Sequence, residues 1–378
     1  MTLFHISDLH LGKRVGSHDI TEDMRHILFE EILGKAVEMY SPDGIIVAGD
    51  IYDTVSPPPE SVRLFDEFIT AAVGKGLSVY MISGNHDNPQ LVSYGRTLLE
   101  NSGVHISRPY SADGVVVVQA GDYDIALLPH ISMEQIRACY PEEMVEDMSD
   151  AVRLVLKKAG LPHIDRPCVL VAHLAVGTGA AVIGKLDNVA PSVFEGFAYT
   201  ALGHYHSSID CGNNVKYSGA PFCFNRSDAA KPQKYLDILT LSAEGVSREQ
   251  YEFSPKRGAR IIRDTLENIL SDIYPASDDY IWFIVTQTDE KMNVAERIAA
   301  KFPCYVSIDY ATTSGKSAQS EEQIVKVKAL DFGELFKGFA SLVRGEEPDE
   351  ELTALAAELF SESKLLVEKK EGGAQDDT

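Results

Sequence analysis

Positive charge is scarce in this chain. Thirty-four lysines and arginines stand against 57 aspartates and glutamates, a formal net charge of −23 over 378 residues. Proteins that grip a phosphate backbone unaided are usually basic, so autonomous nucleic-acid binding is expected to be weak. Either the substrate is small or a partner supplies the grip. Part of the excess is local, because the stretch from Glu346 to Thr378 carries eleven acidic residues against three basic. Cysteine is sparse too: Cys139, Cys168, Cys211, Cys223 and Cys304 are odd in number and scattered, with no C-x-x-C pair. That argues against a disulfide framework or a zinc knuckle and fits a reducing cytosol, with the thiols as buried filler. No apolar run approaches the ~18 residues needed to span a bilayer. A strand-like run begins at residue 3, leaving no room for a signal peptide. The expectation is a cytoplasmic chain with no membrane segment, and no internal repeat is visible.

Five short apolar runs are present, each ending in a polar side chain able to bind metal. They are Leu3–Ser7 into Asp8-Leu9-His10, Ile45–Ala48 into Gly49-Asp50, Val79–Ser83 into Gly84-Asn85-His86-Asp87, Val169–Ala172 into His173, and Tyr199–Leu202 into Gly203-His204-Tyr205-His206. Each reads as a buried strand carrying its polar group at the C-terminal end, where open sheets place their sites.

Between these runs the pattern predicts helices over Thr21–Tyr40, from Pro59 to Gly74 or Gly76, over Pro89–Asn101 and over Glu142–Ala159. Val115–Gln119 and Tyr123–Leu128 flank Gly121-Asp122 as a hairpin. The Gly-rich stretch with Gly177, Gly179 and Gly184 reads as a loop bordering a cleft. Strands recur over Val215–Ser218, Tyr235–Leu241 and Val246–Phe253. Strands with helices on both sides imply an α/β fold, two sheets packed face to face in an αββα sandwich. A boundary is expected at Ser254–Gly258, giving a main domain over 1–254. A small α+β domain follows over 255–345, with a helix at Ile261–Ile273, a strand at Tyr280–Gln287, a helix at Val294–Lys301 and a strand at Cys304–Tyr310. A Ser/Gly/Gln-rich linker over Thr312–Gln323 leads to an amphipathic helix around Leu335 to Val343. Residues 346–370 form a further C-terminal helix, and 371–378 a disordered tail.

The chemistry is legible only from the set. On a strand, Asp8 and His10 project to one face, as do His204 and His206. Alone, the first is more simply an Asp–His hydrogen bond, and the second a pair of core histidines. Asp50 alone is a turn residue, Asn85 a left-handed turn after Gly84, and His173 a histidine closing a strand. Nothing structural requires all of them at successive strand ends, whereas two divalent ions in one cleft do. Lys13, Arg14 and His18, in the polar loop after the first run, are candidate phosphate contacts, with a solvated charged loop the simpler reading. Tyr52 and Tyr94 are candidates for stacking a base, with packing the simpler role.

Asp-x-His, Gly-Asp-x-x-Asp, Gly-Asn-His-Asp, a lone later His and Gly-His-x-His, in that order, resemble the signature of calcineurin-like metallophosphoesterases. More narrowly, Ser7–Gly12, Ala48–Asp53, Ala201–His206 and Tyr217-Ser218-Gly219-Ala220-Pro221 resemble SbcD-type DNA nuclease subunits. The resemblance is sharp over residues 1 to 230 and looser over 255 to 345, where that group carries a small capping domain. It implies that Asp8, His10 and His206 hold one metal and Asn85, His173 and His204 the other, with Asp50 bridging. His86 would be the non-ligand histidine that protonates the leaving oxygen or positions the phosphate. Asp53 stands where archaeal and eukaryotic relatives have a second histidine, and is a further candidate for substrate contact. The implied partners are an SbcC-like coiled-coil ATPase, met by the C-terminal end, DNA single strands and duplex ends, and a second copy in a homodimer.

Two divalent ions bring +4 against only two carboxylates, so the site would stay near +2, a trap for a phosphodiester within an acidic protein. Four imidazoles disfavour magnesium and suit Mn2+, with Fe2+ or Zn2+ next. The expected activity is two-metal hydrolysis of DNA phosphodiesters, exo- or endonucleolytic. A small-molecule or nucleotide phosphodiesterase, a phosphatase using the same site, and a non-catalytic DNA-end or partner-binding module are the competing readings.

Overall fold

The computed structural model describes residues 1–177, 188–287 and 293–311. Its frame is two six-stranded sheets. The first runs in the order Gly245–Glu252, Tyr235–Ser242, Thr2–Ile6, Gly44–Ala48, Ser78–Ile82, Val104–Ile106. The second runs Ile209–Asp210, Val215–Tyr217, Tyr199–Gly203, Cys168–His173, Tyr123–Leu128, Val116–Ala120. The strands that carry the polar ends are parallel within each sheet. Ile6 pairs with Val47 and Ala48 with Ile82 in the first; Gly203 pairs with His173 in the second. Their residues are buried on both faces, which explains continuous runs such as Ile45–Ala48 instead of alternation.

The facing surfaces meet in an apolar layer that includes Ile46, Ala48, Tyr80, Ile125, Val171 and Ala201. The outer face of the first sheet packs on the helical run Thr21–Tyr40, π-wound over His26–Ala36, and on the helix Pro59–Gly74. That of the second packs on Met133–Cys139 and Met148–Lys158. This is the αββα sandwich that the strand and helix pattern implies. Among the described residues, no helix is long and apolar enough to cross a membrane.

Several elements differ from the sequence reading. The expected helix over Pro89–Asn101 is broken: Pro89–Val92 and Arg96–Leu99 are separate short helices, parted at Gly95, whose φ of 70° lies outside the helical region. The helix expected from Glu142 begins at Met148, because the Asp147 carboxylate accepts the Asp150 N–H at 2.9 Å and sets the start. The helix expected over Ile261–Ile273 is instead a strand, Ala259–Asp264, followed by the short helix Leu266–Leu270 capped by Thr265. That strand joins Tyr280–Val285 and Tyr305–Tyr310 in a three-stranded parallel sheet. Ile262, Ile281, Phe283 and Val285 line the sheet's own apolar core, while Tyr280 and Trp282 pack into that of the first large sheet. Arg257 pairs with buried Asp23, which also accepts the Tyr280 hydroxyl at 2.9 Å, and His18 Nε2 donates to the Tyr305 carbonyl at 2.8 Å. Met1–Ala311 folds as one compact unit. The linker from Thr312, the helices around Leu335 and over 346–370, and the tail lie outside the described residues, as does most of the Gly-rich stretch, 178–187.

One polar cluster joins the two sheets internally. His5 is fully buried, with Nδ1 3.2 Å from the Tyr199 hydroxyl and 3.9 Å from Asp237. Asp237 also receives Gln250 at 2.8 Å and lies 3.2 Å from Lys216. Burial dominates and pulls the His5 pKa down to about 3. The folded chain therefore keeps His5 neutral where the unfolded chain, with its histidine near 6.5, takes up a proton. In that window unfolding binds a proton, so stability falls as pH is lowered from about 6.5 towards 3, by roughly 2 kcal/mol at pH 5. Asp237, pushed up by burial, titrates with the opposite sign in the acid range, so comparison with a variant isolates the histidine. His5→Asn should lose less stability between pH 7 and 5 than the native chain in urea titrations; parallel losses would refute the assignment.

Candidate metal centre

The polar groups gather where the parallel strands of both sheets end. The strand Thr2–Ile6 stops before Asp8, so strand alternation does not align Asp8 with His10. Both lie in a loop with left-handed backbone, φ 53° and 43°, and Asp50 (49°) and His204 (120°) share positive φ. Such backbone is costly for non-glycine residues and persists only where surroundings enforce it. Here the loops tie one another: Asp8 N donates to the Gly49 carbonyl at 3.0 Å, His10 N to Asp50 and Leu11 N to Ile51. Buried Asp87 accepts Gly84 N at 2.8 Å, Tyr52 N at 2.8 Å and Ile51 N at 3.1 Å, clamping the Asp50 loop to the Asn85 loop. Two glycines are required by close approach: a Cβ at Gly84 would collide with the Asp50 carboxylate, and at Gly203 with the Ala48 carbonyl.

The resulting geometry centres on Asp50. Its Oδ1 accepts the His86 N–H at 2.9 Å, while Oδ2 stands 3.6 Å from His10 Nε2 and 3.4 Å from His173 Nε2. On one side, His10 Nε2 and His206 Nε2 face each other at 3.1 Å. On the other, the Asn85 side-chain oxygen lies 3.1 Å from both His173 Nε2 and His204 Nδ1. The Asp8 carboxylate accepts the His204 N–H at 3.0 Å and the Ser7 hydroxyl. Among the described residues, ligand atoms lie within 4.8 Å of one another in three sets: Asp8, His10 and His206; His10, Asp50 and His86; Asp8, Asp50 and His173. Carboxylates, an amide oxygen and imidazoles suit divalent cations, and these His and Asp groups are placed to hold them.

The electrostatics agree. Burial opposes the Asp50 charge, yet the His173 and His10 rings and the His86 N–H outweigh it and hold its pKa well below the carboxylate range. Burial likewise opposes charge on His173, but Asp50 lifts it to about 9. The pocket thus favours positive charge between imidazole and carboxylate.

The far nitrogens are anchored. His173 Nδ1 donates to the Ala48 carbonyl at 2.8 Å, and His86 Nδ1 to the Asp53 carbonyl at 2.9 Å. The Asp53 carboxylate lies 3.2 Å from His10 Nδ1 and 2.5 Å from Lys13 Nζ, and despite partial burial these partners lower it to about 2. Asp53 and Lys13, expected as substrate contacts, are thus engaged with each other beside His10. Arg14 turns to Ser17 and Asp19 in its own loop. Tyr52 is buried against Phe65, and Tyr94 is exposed.

Two residues escaped the sequence reading. Asp228 accepts His206 Nδ1 at 3.2 Å, in a four-residue helix with no motif of its own. His130 follows the strand Tyr123–Leu128, with its ring 6.4 Å from that of His173; only the apolar run before it hinted that it, too, sits at a strand end. Carboxylates behind ligand histidines fix ring orientation and basicity. Asp228→Asn should therefore weaken Mn2+ binding about 10–100-fold in calorimetry; an unchanged affinity would show that His206 needs no such partner.

Comparison with known proteins places this geometry. A family model described as calcineurin-like phosphoesterase matches residues 1–207. The SbcD subunit of nuclease SbcCD from Staphylococcus saprophyticus subsp. saprophyticus is 23% identical over 360 residues, covering 92% of this chain and 94% of that protein. Two crystal structures of Vps29 from Entamoeba histolytica, the wild type complexed with zinc and a single mutant, each cover 67% of this chain and 100% of theirs. Their TM-scores are 0.29 and 0.30 at 10% and 12% identity, a likeness too slight to carry an argument. With more than half its length matched, and all the converging strand ends from Asp8 to His206 inside the match, the chain belongs to the calcineurin-like phosphoesterase family.

Proposed function

We propose that this chain is a metal-dependent DNA nuclease subunit of the SbcD type, cleaving phosphodiester bonds and working with an SbcC-like coiled-coil ATPase. The observation that carries the catalytic part is the single Asp50 oxygen standing between His10 and His173, 3.6 and 3.4 Å from their Nε2 atoms. In this reading two divalent ions would be held here: one by Asp8, His10 and His206, the other by Asn85, His173 and His204, with Asp50 available to both. Manganese suits the mixed oxygen and imidazole donors, with iron or zinc as alternatives. Bound divalent ions would polarise the phosphate and make a water nucleophilic at neutral pH.

The remaining roles fall to the chain itself. His86 fixes its Nδ1–H on the Asp53 carbonyl, so Nε2 is the nitrogen free to meet substrate. In this reading His86 protonates the leaving oxygen or positions the phosphate. Asp228 holds the His206 ring in place, and the Asp53 carboxylate stands 3.2 Å from His10 Nδ1. The similarity to the SbcD subunit of nuclease SbcCD extends along nearly the whole of both chains, which supports the narrower assignment over a small phosphodiesterase. The net charge of −23 favours a partner that supplies duplex binding, or else a small substrate.

The assay that separates these readings gives the purified chain Mn2+ with single-stranded DNA, linear duplex and bis(p-nitrophenyl) phosphate. DNA cleavage is expected; hydrolysis of the ester alone would point to a small-molecule enzyme, and silence on all three to a binding module. Chelation should abolish turnover, with Mn2+ restoring it better than Mg2+. His86→Ala should lose at least about a hundredfold in kcat while keeping its full metal content by mass spectrometry; lost metal would make His86 a ligand.

A further inference from the structure

We infer that His130 is a further substrate-contact residue, hydrogen-bonding a phosphate oxygen on the His173 side of the centre. This rests on the phosphoester-hydrolysing reading above. Four observations lead to it. The strand Tyr123–Leu128 runs parallel to Cys168–His173 with Leu128 beside Ala172, so the chain leaves it at the level of the metal centre. The His130 N–H donates to the Ser83 carbonyl at 2.9 Å, fastening this strand end of the second sheet to the Gly84–Asn85 loop of the first. The ring then meets His173 edge-on, at 74° and 6.4 Å between centroids. His86 meets His10 in the same way, at 86° and 4.9 Å, so a histidine flanks each half of the centre.

The fourth observation distinguishes His130 from a packing residue. His10 Nε2 faces His206, and the rings of His86, His173, His204 and His206 are each engaged by a side chain or a carbonyl. No hydrogen bond to a protein group engages the His130 ring among the described residues, although the residue is half-buried. With no protein partner, the ring nitrogens are left for solvent or a ligand. Here the partner that fits the position is an anionic oxygen of the substrate, next to the Asn85, His173 and His204 cluster.

The test uses the full-length chain loaded with Mn2+ and inorganic phosphate as the probe. His130→Phe keeps an edge-on ring against His173 but removes both nitrogens; His130→Gln restores a donor without a ring. Phosphate affinity by calorimetry should fall about tenfold in His130→Phe, as for loss of a hydrogen bond to a charged group, and partly recover in His130→Gln. Metal content should remain that of the native chain in both. On bis(p-nitrophenyl) phosphate, kcat should fall more than KM rises. Native phosphate affinity in His130→Phe would overturn the inference, as would loss of metal, or absence of phosphate binding by the native chain. DNA cleavage by the native chain reads the nuclease assignment separately: a chain silent on DNA, with phosphate affinity that still depends on His130, would sink that assignment and leave this inference standing.

Discussion

The candidate site depends on one carboxylate oxygen reaching across the space between two sheets. Asp50 leaves the first sheet, and its Oδ2 meets His10 from a neighbouring strand end and His173 from the facing sheet. Neither sheet holds the set alone. The separation of the ligand atoms is therefore fixed by how closely the sandwich packs, through Ile46 and Ala48 against Val171 and Ala201. Small residues matter here as much as charged ones: glycine at 84 and 203 lets backbone pass where any side chain would strike the Asp50 carboxylate or the Ala48 carbonyl. The core and the chemistry are one packing problem, solved at the rim of the inter-sheet layer.

Much of this was legible in the sequence, for a definite reason. Parallel strands buried on both faces write themselves as unbroken Ile, Val and Ala runs, and each run here ends in a residue that a buried strand end does not need. The order of those endings identified the fold and the converging residues. The local geometry was not legible. Asp8 and His10 share a face through two left-handed residues, not through strand alternation, and no propensity for Asp or His announces that. Asp228 was invisible because its partner, His206, is 22 residues away and its short helix carries no periodic pattern. Arg260-Ile261-Ile262-Arg263 fits strand and helix alike over so short a span, and pairing with Tyr280–Val285 decided for the strand.

Strain explains why the supporting shell is so dense. Each of Asp8, His10, Asp50 and His204 holds a backbone conformation costing on the order of 1–3 kcal/mol. These costs are tolerated because the loops are cross-tied at several points, and Asp87 illustrates the means. Burial and the nearby Asp50 charge push its pKa upward, yet three backbone N–H groups point at its two oxygens. A carboxylate accepting three donors holds two loops at once, which neither a hydroxyl nor an amide could do without turning a donor against a donor. The clamp is thus part of what keeps Asp50 aimed.

The acid–base balance of the whole chain bears on what such a centre selects. An anionic substrate approaching a protein of net charge −23 is repelled at long range. At physiological salt that repulsion fades beyond roughly 8 Å, so the local field of the cleft decides the last step. Under the proposed reading that local field is cationic, and it acts on the one phosphate that enters, not on a length of backbone. Such a distribution rewards cleavage at a single bond and penalises lateral grip along a duplex. Under that reading, a partner carrying a basic surface would add the grip on a long nucleic acid that this chain's excess of acidic over basic residues withholds.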